Sequence, residues 1–374
     1  MRNRPRRAPG SAVFAVTISL VVISSQPAYA EVHLRVAAEF INTATTVEGT
    51  DDWDYFQSGT ASVTFRNGES RLIRGELTVD LSPQSETPEL KRLYIRPGFG
   101  PVLVSLGKTR STWGAGMAFN AGDIIFGSES VDFNTRTAEP RSETAWLTNV
   151  EIPLGAFSFV ELIVLPGNIE SAGSATIAGA TGDPSFGSRF VVDAGPVLFQ
   201  SGYLFRGDRI AGLGETGHRA YAGLEGFSPV NWYVTTSAAT DRDTFSTGTI
   251  EESWIITGGA FNDHPIGYDM NLAWRVEALV KPGASFDSDE SRGLGVFMYP
   301  SITFNAGGTQ TWSLSSVISP VDRSGANTLG MSWNIYEELS LRAYASVQTG
   351  GEGDVFNIEN PGGIRFTVGA TYVY

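Results

Sequence analysis

Apolar and polar residues alternate with a period of two along almost the whole chain beyond its first thirty residues. The last segment is the cleanest: Ile364, Phe366, Val368, Ala370, Tyr372 and Tyr374 share one parity, while Arg365, Thr367, Gly369 and Thr371 share the other. Tyr268, Met270, Leu272, Trp274, Val276, Ala278 and Val280 alternate in the same way with Asp269, Asn271, Ala273, Arg275 and Glu277. Successive side chains of a strand point to opposite faces, so each such segment reads as a β-strand with one apolar and one polar face. The pattern predicts eighteen strands, at 31–41, 55–66, 69–81, 89–98, 101–107, 143–153, 156–166, 187–195, 197–207, 217–228, 230–240, 252–262, 266–280, 292–304, 310–320, 326–335, 338–349 and 362–374. The segments at 101–107 and 187–207 are weakly patterned, which leaves sixteen strands as the alternative.

A half-buried soluble sheet gives the same alternation, so the connections discriminate better than any one strand. After even-numbered strands they are tight, as at Asn67-Gly68, Leu154-Gly155, Gly195-Pro196, Ser228-Pro229, Asp263 to Ile266 and Tyr336-Glu337. After odd-numbered strands they are mostly long and polar: Asn42 to Asp54, Lys108 to Ser142, Gly167 to Phe186, Asp241 to Glu251. This sorting is expected when both termini lie on one side of a membrane. A sandwich has no reason to sort its loops, and no blade-length repeat is present. An open sheet in lipid would leave backbone groups unpaired, so the sheet must close. The fold class is therefore all-β, a transmembrane antiparallel β-barrel with short turns at one end and long loops at the other.

Composition sharpens this picture. Charged residues make up 18% of the chain, below the ~25% of ordinary soluble domains, as expected if half of each strand faces lipid. There is no cysteine, which excludes disulfides, thiolate metal sites and a thiol nucleophile. Acidic residues outnumber basic ones 40 to 26, with no basic run beyond the first thirty residues, which argues against a nucleic-acid partner.

Residues 1–30 contain four arginines, an apolar run from about Ala12 to Ile23, and Ala28-Tyr29-Ala30, the pattern of a cleaved secretory signal peptide. The run is shorter than the ~20 residues a spanning helix needs. Its removal takes away four basic residues and no acid, and the net charge falls from −14 to −18. The remainder, 31–374, is expected to be a single barrel domain.

The export signal, the alternating strands and the terminal aromatic residue together resemble bacterial outer-membrane porins. The stretch GKTRSTWGAGMAFNAGD, Gly107 to Asp123, resembles the G-[KR]-x-R-x-x-W-G-x-G segment of a group of porin-like barrels, through Gly107, Lys108, Arg110, Trp113, Gly114, Gly116, Asn120 and Asp123. The resemblance implies periplasmic turns, extracellular loops, and residence in the cell outer membrane of a Gram-negative bacterium. It implies that Phe366, Tyr372 and Tyr374 form the signal read by the barrel assembly machinery. It also implies that the longest connection, 108–142, folds into the lumen. The chain lacks the PEFGG segment of general porins, so their constriction geometry does not transfer.

Of the 22 basic residues beyond position 30, only Lys91, Lys108 and Lys281 are lysines. Several arginines lie on the polar parity, where a lipid-facing charge would cost ~2–4 kcal/mol, so they are expected to face the lumen. The candidate channel-lining or constriction residues are Arg74, Glu76, Arg92, Arg96, Lys108, Arg110, Trp113, Asp123, Arg275, Glu277, Arg342 and Arg365. Such charges either brace the wall as ion-pair ladders or set a field across a water-filled constriction. Trp113 is expected to peg the loop to the wall in preference to stacking on a solute. Trp53, Trp146, Trp232, Trp254, Trp312, Trp333, Tyr336 and Tyr372 lie near strand ends, as in interfacial girdles. His33, His218 and His264 form no metal-binding pair, and no motif supports a hydrolase built from Ser201, Asp208 and His218. Acidic pairs such as Asp51-Asp52, and the groups at 287–290 and 352–354, fall in external loops.

The expectation is a passive outer-membrane channel for small hydrophilic solutes or ions, with no enzymatic activity, cofactor or metal. A filled barrel serving as an adhesin or structural protein is the alternative. Expected partners are outer-membrane lipid and lipopolysaccharide, the assembly machinery and small solutes, with the chain as a monomer or homotrimer.

Overall fold

The computed structural model describes residues 32–46, 53–67, 73–81, 88–127, 141, 143–167, 183–207, 216–243, 246–287, 294–351, 353–356 and 363–373. Its first six strands are β1 (Val32–Thr46), β2 (Trp53–Asn67), β3 (Ile73–Leu81), β4 (Glu89–Phe99), β5 (Val102–Thr109) and β6 (Ala145–Pro153). Six more follow: β7 (Phe159–Leu165), β8 (Ser185–Asp193), β9 (Val197–Arg206), β10 (Gly217–Gly226), β11 (Asn231–Thr240) and β12 (Ile255–Ile266). The last six are β13 (Met270–Val280), β14 (Val296–Ala306), β15 (Gln310–Ser319), β16 (Ser324–Asn334), β17 (Leu339–Thr349) and β18 (Ile364–Val373). Among the described residues one helix occurs, α1 (Thr247–Ser253), in the β11–β12 connection; the Ser246 side chain caps it by accepting from the Thr249 N–H.

Each strand pairs antiparallel with its sequence neighbours, and β1 closes on β18 through nine partners from Ala37–Val373 to Thr45–Arg365. The result is a closed eighteen-stranded antiparallel barrel with no edge, which resolves the choice between eighteen and sixteen strands. Connections after even-numbered strands span two to five residues, and those after odd-numbered strands four to thirty-five.

The ladders carry the pleat around the wall. Tyr233, Gly259, Glu277 and Tyr299 are successive partners on β11 to β14 and face inward. Val234, Gly258, Ala278 and Met298 form the row beside them and face out. The outward face keeps large apolar groups exposed, among them Phe40, Ile95, Leu162, Val276, Leu329 and Phe366. Trp254, Trp312, Trp333, Tyr336 and Tyr372 are exposed near the strand ends.

Two local expectations are corrected. The β12–β13 turn lies at Gly267 to Asp269, with Gly267 at φ 74°, and not at Asp263 to Ile266. Pairing continues to Ile266–Met270, so Asp263 and His264 belong to the strand and Tyr268 to the turn. Residues 1–30, Tyr374, Asp51, Asp52 and Asp208 lie outside the described residues, as do the side chains of His33, Trp53 and Arg74 and most of 128–142.

Candidate functional site

The β5–β6 connection supplies the interior. Residues 110–127 pack on inward-facing side chains of β6 to β14, and Trp113, Phe119 and Ile125 are 0% exposed. The segment braces itself first. Arg110 pairs with Asp123 at 2.7 Å and with Glu143 at 2.6 Å. Asn120 Nδ2 donates to the Trp113 carbonyl at 2.8 Å, and its Oδ1 accepts from the Gly122 N–H at 3.0 Å. Gly114 lies at φ 79° with this amide against it; a Cβ there would come within 2.2 Å of Asn120 Oδ1. Arg110, Trp113, Gly114, Asn120 and Asp123 of the Gly107–Asp123 stretch therefore fix one another and with them the shape of the loop.

Two buried carboxylates then hold that shape to the wall. Glu161 on β7 accepts from Ser111 Oγ at 2.8 Å and Trp113 Nε1 at 3.1 Å, and it also binds Asn149 and Arg189. Glu277 on β13, itself 0% exposed, accepts from the N–H groups of Met117, Ala118 and Phe119 at 3.0, 2.8 and 2.9 Å. Arg275 completes its shell at 2.7 Å. A buried carboxylate requires such partners, and here the loop backbone provides most of them. Arg206 bonds the Ile124 and Ile125 carbonyls, Arg141 the Ala118 carbonyl at 2.8 Å, and Tyr233 Oη donates to the Phe119 carbonyl at 3.1 Å.

The wall makes room for the peg. Gly187 of β8 lies under the Trp113 indole, where a Cβ would come within 2.8 Å of the ring. Tyr221 also approaches the indole, with ring centroids 6.0 Å apart. Trp113 has no face open to a solute.

The remaining candidates fall into separate groups. On the β2–β4 wall, Glu76 takes Arg66 at 3.3 Å, Arg92 at 3.6 Å and Tyr94 Oη at 3.3 Å. Arg96 donates to Ser105 Oγ at 2.9 Å beside them, and the register sets Arg74 opposite Arg96. Lys108 departs from the expectation. Its register partners are Leu93 and Trp146, on the outward parity, and its Nζ donates to the Leu90 carbonyl at 2.7 Å. Gly107 just before it, at φ 131°, distorts the strand there. Arg189, Glu161 and Arg206 were not anticipated. They lie on β7 to β9, where neighbouring inward residues Ile163, Leu165 and Leu204 are apolar and blur the alternation.

The histidines do not gather. His218 faces outward and shares a 2.6 Å hydrogen bond with Tyr203 Oη, and His264 lies 3.4 Å from Trp274 Nε1. Phe366 and Tyr372 are exposed on the outward face of β18. No cluster of metal-ligating side chains occurs among the described residues.

Open space remains along the wall the loop does not cover. An inner chamber of about 610 Å³, towards the short turns, is lined by β12 to β17 and Met117. Its surface is rich in hydroxyls, including Ser301, Thr303, Thr311 and Ser313, and carries Arg275, Arg342 and Asp263. An outer chamber of about 460 Å³ is lined by β17, β18, β1 and β2, with Thr43, Thr45, Ser58, Arg365 and Glu39. Arg342 and Tyr344 line both. Arg342 reaches Glu39 at 3.3 Å.

No family model matches the chain, and no curated protein does. Among solved structures the chain is similar to OccAB4 of Acinetobacter baumannii, with TM-score 0.54 and 10% identity over 93% of this chain and 100% of that one. It also aligns with a mutant porin of Rhodopseudomonas blastica at TM-score 0.44 and 11% identity, over 92% of this chain and 100% of that one. At these identities the likeness to OccAB4 is one of fold, and that fold is the closed antiparallel barrel.

Proposed function

We propose that the protein is an outer-membrane channel of the porin type, through which small hydrophilic solutes or ions diffuse passively. The observation that carries this reading is the pair of hydroxyl- and arginine-lined chambers that share Arg342 and Tyr344 in their linings, inside a wall whose outer surface is apolar. A polar lumen inside an apolar belt is what a water-filled barrel requires. The resemblance of OccAB4 in fold supports the same reading. Under it, residues 1–30 are removed on export, Phe366, Tyr372 and Tyr374 guide assembly, and lipid and lipopolysaccharide surround the barrel as monomer or homotrimer. No step in this function calls for a catalytic group, cofactor or metal. Planar-bilayer recording of the refolded protein tests it: stepwise conductance is expected, and a silent bilayer overturns it. The filled interior at 110–127 favours the second reading, a structural barrel or adhesin, which the silent bilayer would support.

A further inference from the structure

Resting on the channel reading, we infer that the route through the barrel is off-axis and selects small anions at a neck formed by Arg342. The two chambers have no other charged residue in common. Along β6 to β14 the interior is occupied among the described residues. Loop 110–127 covers the β6–β13 wall, and Val355 and Phe356 of the β17–β18 connection pack with Phe119, Leu279 and Phe297 above it. A solute moving from the loops to the turns therefore passes Arg365, then Arg342, then Arg275.

The carboxylates along this route do not balance those cations evenly. Glu277 is sealed from the chambers beneath the loop, with its charge shared among three amides and Arg275. Asp263 lies in the inner chamber only. In the outer chamber Glu39 alone faces Arg342 and Arg365, and it is engaged by Arg342. Among the described residues no carboxylate lies within ion-pairing distance of Arg365. Thr43, Thr45, Ser58 and Thr367 line the same space, and hydroxyls can turn their protons towards an anion. Low-dielectric walls focus such a field, so the net positive charge raises the local concentration of anions. Arg342 sets the selectivity, and Glu39 weakens it.

The test uses full-length protein folded into planar bilayers, with reversal potentials read in a potassium chloride gradient and again with acetate replacing chloride. Wild type is expected to pass the anion preferentially in both. Arg342→Ala should lower the anion-to-potassium permeability ratio by about threefold or more, and Glu39→Gln should raise it. Opposite movements would support the inference, because general loosening of the wall would move both variants the same way. If Arg342→Ala fails to give a heat-modifiable band, Glu39→Gln carries the test alone, since it leaves Arg342 in place. Wild-type steps with cation preference, or a ratio unmoved by Glu39→Gln, would overturn the inference and leave the channel standing. Absence of steps in the wild type would instead overturn the channel reading beneath it.

Discussion

Single side chains decide how the interior is filled, and Trp113 bears the largest share. Its indole is fully buried, in contact with Gly187 and Tyr221, and donates to Glu161. Trp113→Ala should cost about 3–5 kcal/mol of loop stability, through lost burial and the cavity left behind. Trp113→Phe keeps most of the contact and removes one donor from a carboxylate that retains Arg189, Ser111 and Asn149, so about 1 kcal/mol is expected. Hydrogen exchange of the amides at 113–126 measures both, and equal protection in the two variants would contradict the peg. Asp322, in the β15–β16 connection, gives a prediction with pH. Partial burial pushes its carboxyl up, but hydrogen bonds from the Val355 N–H at 2.9 Å and from Ser324 more than reverse this and hold it below the ordinary 3.8. A depressed folded value means the contact is fully present above about pH 4 and is lost as pH falls through that lower value. A spin label at Gly353 should therefore gain mobility only in strong acid. In Asp322→Asn, with an amide donor facing the Val355 N–H, it should be mobile at neutral pH with no acid transition.

At the scale of elements, loop 110–127 and the β-wall are joined by charge as much as by apolar contact. Glu277 supplies acceptors to three consecutive loop amides, and leaving these without a carboxylate in a buried place costs about 3–5 kcal/mol. Glu277→Gln should raise chymotryptic cleavage near Phe119 about a hundredfold while the barrel persists, provided cleavage follows local opening. Unchanged cleavage alongside an intact barrel would show that the apolar contacts alone hold the loop. The same loop explains what was legible in the sequence. β17 and β18, whose inner faces line the chambers and carry Arg342 and Arg365, show clear alternation. On β7 to β9 the inner face meets the loop, so Ile163, Leu165 and Leu204 are apolar on the side expected to be polar, and Glu161 and Arg189 were missed among them. Lys108 was placed in the lumen by its motif, whereas the distortion at Gly107 and the ladder put it opposite Leu93 and Trp146. Arg342 was one candidate among twelve; its place between two chambers depends on which wall the loop leaves bare, and no local pattern encodes that.

For the whole molecule, closure is the property on which the rest depends. The chain ends pair with each other: β18 lies between β17 and β1, and its outward residues Phe366, Val368 and Tyr372 are exposed. Removing Ile364–Val373 would leave the free sides of β17 and β1 without partners, a gap too wide for the two to meet without reshaping the whole barrel. In the membrane setting proposed above each unpaired backbone group costs several kcal/mol, so the loss is far beyond the ~5–15 kcal/mol that usually separates folded from unfolded chains. Tyr372→Ala, by contrast, removes one outward ring and no ladder bond, so closure survives. Gel mobility separates the two. Wild type and Tyr372→Ala should migrate differently before and after boiling, while the chain lacking residues 364–374 should give the same band either way. A heat-modifiable band from the truncated chain would mean that the barrel can close without its last strand. The seam between β18 and β1 would then be dispensable, and the wall would have to close through pairings other than those of β18.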